Sequence, residues 1–443
     1  MATRVYRLEN DGSTVDITSQ ARSTSEITTT TCTPTLQRTF DSNTFRDFLV
    51  SLHICNKNKN PILATGRAER LQQDLERGLR VLSRSRGLTD FSVLESAYPE
   101  ESTQWKVLIN ELRAIVETQK KGNIPELDIL VNVCNHMNDW FTKHDLVLFV
   151  SYPKESERKT NGSLGCLGLG QIADRIQYEF KGKQIPLYFE WALANQSAFS
   201  ELGRHHDGRM ITLNLSMLTH SATCPWDPKY TTDFPNDVLL ANGFIPQLYR
   251  AQTKLIREIR DKNNPEELLI KTVGATAIEE LRHWTDYVTV QEESKREYSI
   301  FDLSQYDYFG KTQTLGVLNQ LNQTAGLGFL TYELAGRLTR GAFGHLSKEN
   351  LIGHIRFLAN TKHRSSSEFG IGMLYVRILG DELQLTRAKD RLSPSNWKGM
   401  EARDLYNLID GLVDISEEQY GSSCQSVLEK NYKYPNHNGF FHT

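Results

Sequence analysis

The run ATAIEELRHWTDYV, residues 275–288, places Glu279, Glu280, His283 and Asp286 within about two helical turns. On a helix, Glu279 and His283 project one turn apart from the same side, Glu280 stands beside them, and Asp286 follows one further turn along. At about 100° per residue, Ile270, Val273, Ala277, Leu281, Trp284 and Val288 form a single apolar stripe, with Glu279, His283 and Asp286 on the opposite side. Two arrangements satisfy this pattern. Either the stripe packs on a domain and the polar front opens into a cleft that holds a metal, or the front lies in water. In the second case the Glu–His pair is a surface contact worth about a few tenths of a kcal/mol.

Upstream of this run, NNPEELL opens the helix with Asn, Pro and two glutamates, a strong start signal. The segment QLYRAQTKLIREIRDKN before it reads as another helix, and the proline-bearing CPWDPKYTTDFPNDVLLANGF as a surface crossing. Earlier still, LVLFVSYP (Leu146–Pro153), IPLYFEWALA and RMITLNLSML read as strands. In the last of these, alternation from Met210 to Met217 predicts a half-buried strand. His205 and His206 sit at a hairpin tip and point to opposite sides of it. NGSLGCLGLGQIADRIQYEF carries Gly165, Gly168 and Gly170 ahead of a helical pattern in QIADRIQYEF. The glycines suit a flexible connector, or backbone N–H groups offered to a phosphate, although neither a dinucleotide nor a Walker spacing is present. Downstream, GFLTYELAGRLTRG is a helix with Glu333, which an antiparallel return would bring to the same site. A histidine, carboxylates and an open position are what a hydrolytic metal centre requires.

Composition bounds the alternatives. A chain of 443 residues predicts more than one core. With 51 Lys and Arg against 54 Asp and Glu, whole-chain charge indicates neither nucleic acid nor an anionic membrane. Cys32, Cys55, Cys134, Cys166, Cys224 and Cys424 show no CxxC and no dense framework, as expected of reduced thiols in a cytosol. No apolar core follows the charges at the start, and no run of about 18 apolar residues spans a bilayer. The localisation expected is cytoplasmic, or exported without a cleaved signal peptide. Asn-x-Ser/Thr triplets at Asn161, Asn195, Asn214 and Asn322 are expected to be chance matches.

The central residues resemble the gluzincin zinc metallopeptidases, and among them the anthrax lethal-factor branch. That branch carries HExxHxxD on the active-site helix and a glutamate on a helix about fifty residues on. The corresponding run here is Glu279-Glu280-Leu281-Arg282-His283-Trp284-Thr285-Asp286, and YELAG with Glu333 stands where the later glutamate would be. QIADRIQYEF, IPLYFEWALA and RMITLNLSML resemble the family's backing helix and edge strands. The resemblance covers about residues 145–345. It implies a zincin-like domain in which Glu279, His283 and Glu333 hold Zn2+ and Glu280 takes a proton from the attacking water. Asp286 would accept a hydrogen bond that orients His283 or its neighbours, and support for the transition state would come from Tyr306, Tyr308 or Tyr332, or from His205 or His206 approaching from the edge strand, with no spacing to choose among them. The reaction implied is hydrolysis of a peptide bond in a protein substrate.

Glu279 stands in place of the family's first histidine. Its carboxylate makes the donor set harder and more anionic, which favours Mn2+ or Fe2+ beside Zn2+. A second outcome of the same departure is a metal-free shell kept as a protein-binding module or toxin-like, host-directed effector. A third reading takes Glu280-x-x-His283 as half of a ferritin-like di-iron site, which requires a second such pair. The fold class expected is α+β, a mostly helical multi-domain protein around a central zincin-like domain of small sheet and active-site helix. Its divisions are a Ser/Thr-rich leader (1–35), a helical N-terminal domain (36–145), the zincin-like domain (146–345) and a helical C-terminal region (346–443). His53, His136, His345, His354 and His363 receive no role.

Overall fold

A computed structural model describes residues 127–150, 167–194, 202–206, 208–292, 327–344, 347–363, 367–385 and 402–433, with two short N-terminal strands and scattered positions between 99 and 114. It is a mostly helical α+β protein with one five-stranded mixed sheet. Within the leader, β1 (Tyr6–Leu8) and β2 (Thr14–Asp16) pair antiparallel. Most of the expected helical N-terminal domain (36–145) lies outside the described residues, as do Gly165, Tyr306 and Tyr308. Helix α1 (Leu127–Phe141), within the stretch expected to be helical, leads into β3 (Leu146–Val150).

The glycine-rich segment corrects a prediction. QIADRIQYEF is not a helix but the second half of strand β4 (Leu167–Phe180). Ile172, Ile176 and Phe180 recur every four residues, a spacing compatible with both a helical turn and a strand period of two. The turn decides between them. Lys181 and Gly182 have φ of 51° and 72°, the left-handed pair that a two-residue hairpin requires, and they fold β4 onto β5 (Lys183–Ala194). Gly168 and Gly170 pair with Phe149 and Val147 of β3, so they neither open a helix nor cradle a phosphate.

The sheet order is β3-β4-β5-β7-β6, where β6 is Gly203–His206 and β7 is Met210–Asn214. Only β5 and β7 run parallel. Strand β7 ends three residues earlier than its alternation suggested, because the Asn214 side chain accepts the Met217 N–H at 3.1 Å and starts helix α2 (Leu215–Thr223). This cap also occupies the third Asn-x-Ser triplet. All five β7 residues are buried, so the strand is covered on both faces rather than half-buried. The proline-bearing crossing is no bare loop and holds the short helices α3 (Pro228–Thr231) and α4 (Asn236–Ala241).

Helix α5 (Pro246–Lys262) precedes α6 (Pro265–Glu292). Asn264 and Glu267 form a reciprocal capping box: the Glu267 N–H donates to Asn264 Oδ1 (2.9 Å) and the Asn264 N–H to Glu267 Oε2 (3.3 Å). The predicted stripe packs into the main core, with Val273, Ala277, Leu281, Trp284 and Val288 buried beside Leu187, Phe189, Ile211 and Leu213 of the sheet. The polar front is covered too: His283 and Asp286 are buried and Glu279 is half-buried. The water-facing arrangement is thereby excluded.

Helix α7 (Leu327–Phe343) covers that front, followed by α8 (Glu349–Ala359), α9 (Ser367–Glu382), α10 (Ala402–Asp414) and α11 (Glu417–Asn431). These last helices share the hydrophobic core of the sheet and α6. No described helix is long and apolar enough to cross a membrane.

Candidate metal centre

Helices α6 and α7 run antiparallel. Their contacts step backwards along α6 as α7 advances: His283 meets Gly336, Arg282 meets Thr339, Glu279 meets Arg340, and Ala275 meets Gly344. Close approach depends on Gly336, where a Cβ would lie 2.5 Å from His283 Cε1 and 2.8 Å from Nε2. The expected antiparallel return of Glu333 is therefore observed. Donor atoms of Glu279, His283 and Glu333 all fall within 4.8 Å of one another, and Glu333 Oε1 is 3.9 Å from His283 Nε2.

Burial drives the His283 pKa down to about 4, and Arg337 and Arg282 act in the same direction against the opposing pull of Glu279. The imidazole is therefore neutral near pH 7, with a lone pair to give. Its buried Nδ1 has no hydrogen-bond partner. Burial would raise the Glu279 carboxyl, but Arg340 and Arg337 outweigh it and hold Glu279 below the usual carboxylate value. A neutral imidazole with an orphaned nitrogen and two converging carboxylates is a donor set that fits a divalent cation.

Arginines surround the trio on its α7 side. Arg340 donates to Glu279 Oε2 at 3.0 Å and to Glu349 Oε2 at 2.9 Å. Arg337 bonds Glu368 at 2.7 Å and lies 3.5 Å from Glu333 Oε2 and 3.9 Å from Glu279 Oε1. Among the described residues, four carboxylates thus meet two guanidiniums, so these ion pairs do not exhaust the negative charge. Sequence reasoning passed over both arginines, although Glu333, Arg337 and Arg340 recur at i, i+4 and i+7 on one face of α7.

The remaining predicted residues are distributed around the trio. Glu280 is buried against β6, where a Cβ on Gly203 would lie 2.8 Å from Glu280 Cγ and 3.0 Å from Oε1. Tyr332 stacks on the His283 ring, centroids 4.1 Å apart and planes at 17°, while Tyr308 lies outside the described residues. Asp286 makes no hydrogen bond to His283. It accepts a hydrogen bond from the Tyr432 hydroxyl of α11's C-terminal edge, and its other oxygen is buried without a partner.

His205 and His206 do point to opposite sides. His206 Nε2 lies 3.0 Å from Thr212 Oγ1, whereas His205 reaches the centre, its Nδ1 3.3 Å from the Tyr332 hydroxyl. Burial, with His283 nearby, lowers the His205 pKa to about 3. Nothing in the sequence spacing selects His205, because it arrives from a strand edge about 75 residues upstream of α6's site residues. No family model, curated protein or solved structure matches the chain.

Proposed function

We propose that this protein is a metal-dependent hydrolase of zincin type that cuts a peptide bond, with Glu279, His283 and Glu333 holding a divalent cation. The observation that carries the reading is the convergence of a buried, neutral imidazole and two half-buried carboxylates from antiparallel helices. A cation there would supply acidification of a water and polarisation of a carbonyl. Glu280 is the group to take the proton from the attacking water, since it shares α6 with two of the donors and is buried beside the sheet edge. Among the described residues β6 pairs on one side only, with β7, and it lies against α6. Zn2+ is the first metal to test, with Mn2+ and Fe2+ next because the donor set is rich in oxygen. The compartment that goes with this reading is the cytosol, or the exterior after export without a cleaved signal.

A specific observation favours a second reading, a metal-free shell that binds a protein partner: Arg340 and Arg337 already contact the carboxylates of Glu279 and Glu333. No observation favours the di-iron reading, because Glu280 faces Gly203 of the sheet and no second ExxH exists in the chain. Metal analysis separates the first two. Purified protein dialysed with Zn2+ or Mn2+ should retain about one ion per chain and gain thermal stability from it, and His283→Ala should lose both. Equal, negligible retention by wild type and His283→Ala would remove the basis of the hydrolase.

A further inference from the structure

We propose that His205 is a positioning residue for Tyr332, holding the phenol so that its hydroxyl hydrogen is offered to a reacting oxygen at the ion site. The inference rests on the metal-centre reading. It starts from a backbone amide. The Gly208 N–H lies 2.9 Å from His205 Nε2, and an amide N–H only donates. Nε2 therefore carries the lone pair, and the proton of the neutral ring is on Nδ1. That nitrogen faces the Tyr332 hydroxyl at 3.3 Å. The N–H donates, the phenol oxygen accepts, and the phenol's own hydrogen is turned away from His205.

The turn that supplies the amide is built for this contact. Gly208 has φ of 76°, and a Cβ there would lie 2.4 Å from the Tyr287 ring, so only glycine fits the turn. Tyr287 in turn packs on His205, ring centroids 5.3 Å apart. Three neighbours thus fix one imidazole. Tyr332 itself is stacked on His283 and adjacent in sequence to Glu333, so its hydrogen is offered close to the trio. During attack, the water oxygen bonds to the carbonyl carbon and its proton passes to Glu280. The carbonyl π pair moves onto oxygen, where the Tyr332 O–H donates to the developing charge.

Histidine-selective 15N labelling of the full chain, read by long-range proton–nitrogen correlation, tests the tautomer directly. Wild type should show a neutral ring protonated at Nδ1 that is missing from His205→Gln, and Tyr332→Phe should shift that Nδ1 signal. A ring protonated at Nε2 overturns the proposal. In Co2+-loaded protein, His205→Ala and Tyr332→Phe should each bind acetohydroxamate about tenfold more weakly, with little further loss in the double variant and Co2+ affinity unchanged. His205→Gln, which both accepts from Gly208 and donates to Tyr332, should restore binding to within about twofold of wild type. Additive losses, or wild-type acetohydroxamate binding by His205→Ala, overturn the positioning role. Failure of Co2+ to bind at all overturns the metal reading instead, and the tautomer then decides the His205 contact by itself.

Discussion

Burial strips the proton from His283 and leaves one on Asp286, three residues further along the same helix. The Asp286 carboxyl is pushed up to about 7 by desolvation, against the opposing effects of Arg282 and the Tyr432 hydroxyl. The sign of the linkage follows. Below about pH 4 the group is protonated in folded and unfolded chains alike. Between about 4 and 7 only the unfolded chain ionises, so the folded state loses stability as pH rises through that window, by up to about 4 kcal/mol. Asp286→Asn keeps the acceptor for Tyr432 and removes the titration. It should be more stable than wild type in urea at pH 8, with the advantage shrinking to nothing as the pH is brought down to 4. Gly336 makes the second prediction at this scale. Gly336→Ala drives a methyl into a ring that Tyr332 already stacks on, and it should cost about 1–3 kcal/mol of stability and weaken Zn2+ binding at least severalfold, read by denaturation and metal titration.

Among the elements, α6 was the most legible. Its start, stripe and polar front all follow from residues that are neighbours along the chain. The Asn264–Glu267 box predicts that Asn264→Ala lowers the unfolding free energy by about 1 kcal/mol while leaving metal retention unchanged, because the cap lies about five turns from His283. β4 was the least legible. A spacing of four residues carries no information that separates helix from strand, and the deciding feature was a two-residue turn with both φ positive. Helix α7 was legible as a helix and as the carrier of Glu333, but its arginines gain meaning only from what α6 and α8 place opposite them.

In the whole molecule, the C-terminal helices are part of the site's support. Tyr432 reaches Asp286, the Arg282 guanidinium lies 4.4 Å from the Tyr432 ring, and Val413, Tyr420 and Val427 belong to the same core as Trp284. Lys348, almost fully buried, donates to the Ile415 carbonyl at 2.8 Å and ties the start of α8 to the end of α10. A chain ending at residue 401 should therefore lack cooperative unfolding in calorimetry and retain no metal. A folded fragment of native stability would show α10 and α11 to be dispensable.

Periodicity, caps and spacing are properties of adjacent residues, and from them the helices α5, α6 and α7, the strands β3 and β5, and the grouping of Glu279, His283 and Glu333 were readable without coordinates. Whether the polar face of α6 met water or protein was not, because the same pattern serves a solvated helix and a central one. Burial is set by what packs from far away in the chain: α7 over the front of α6, the arginines beside Glu279, Tyr432 against Asp286, and His205 from the edge of the sheet. Those long-range contacts gave His283 its lone pair and set Asp286 against Tyr432.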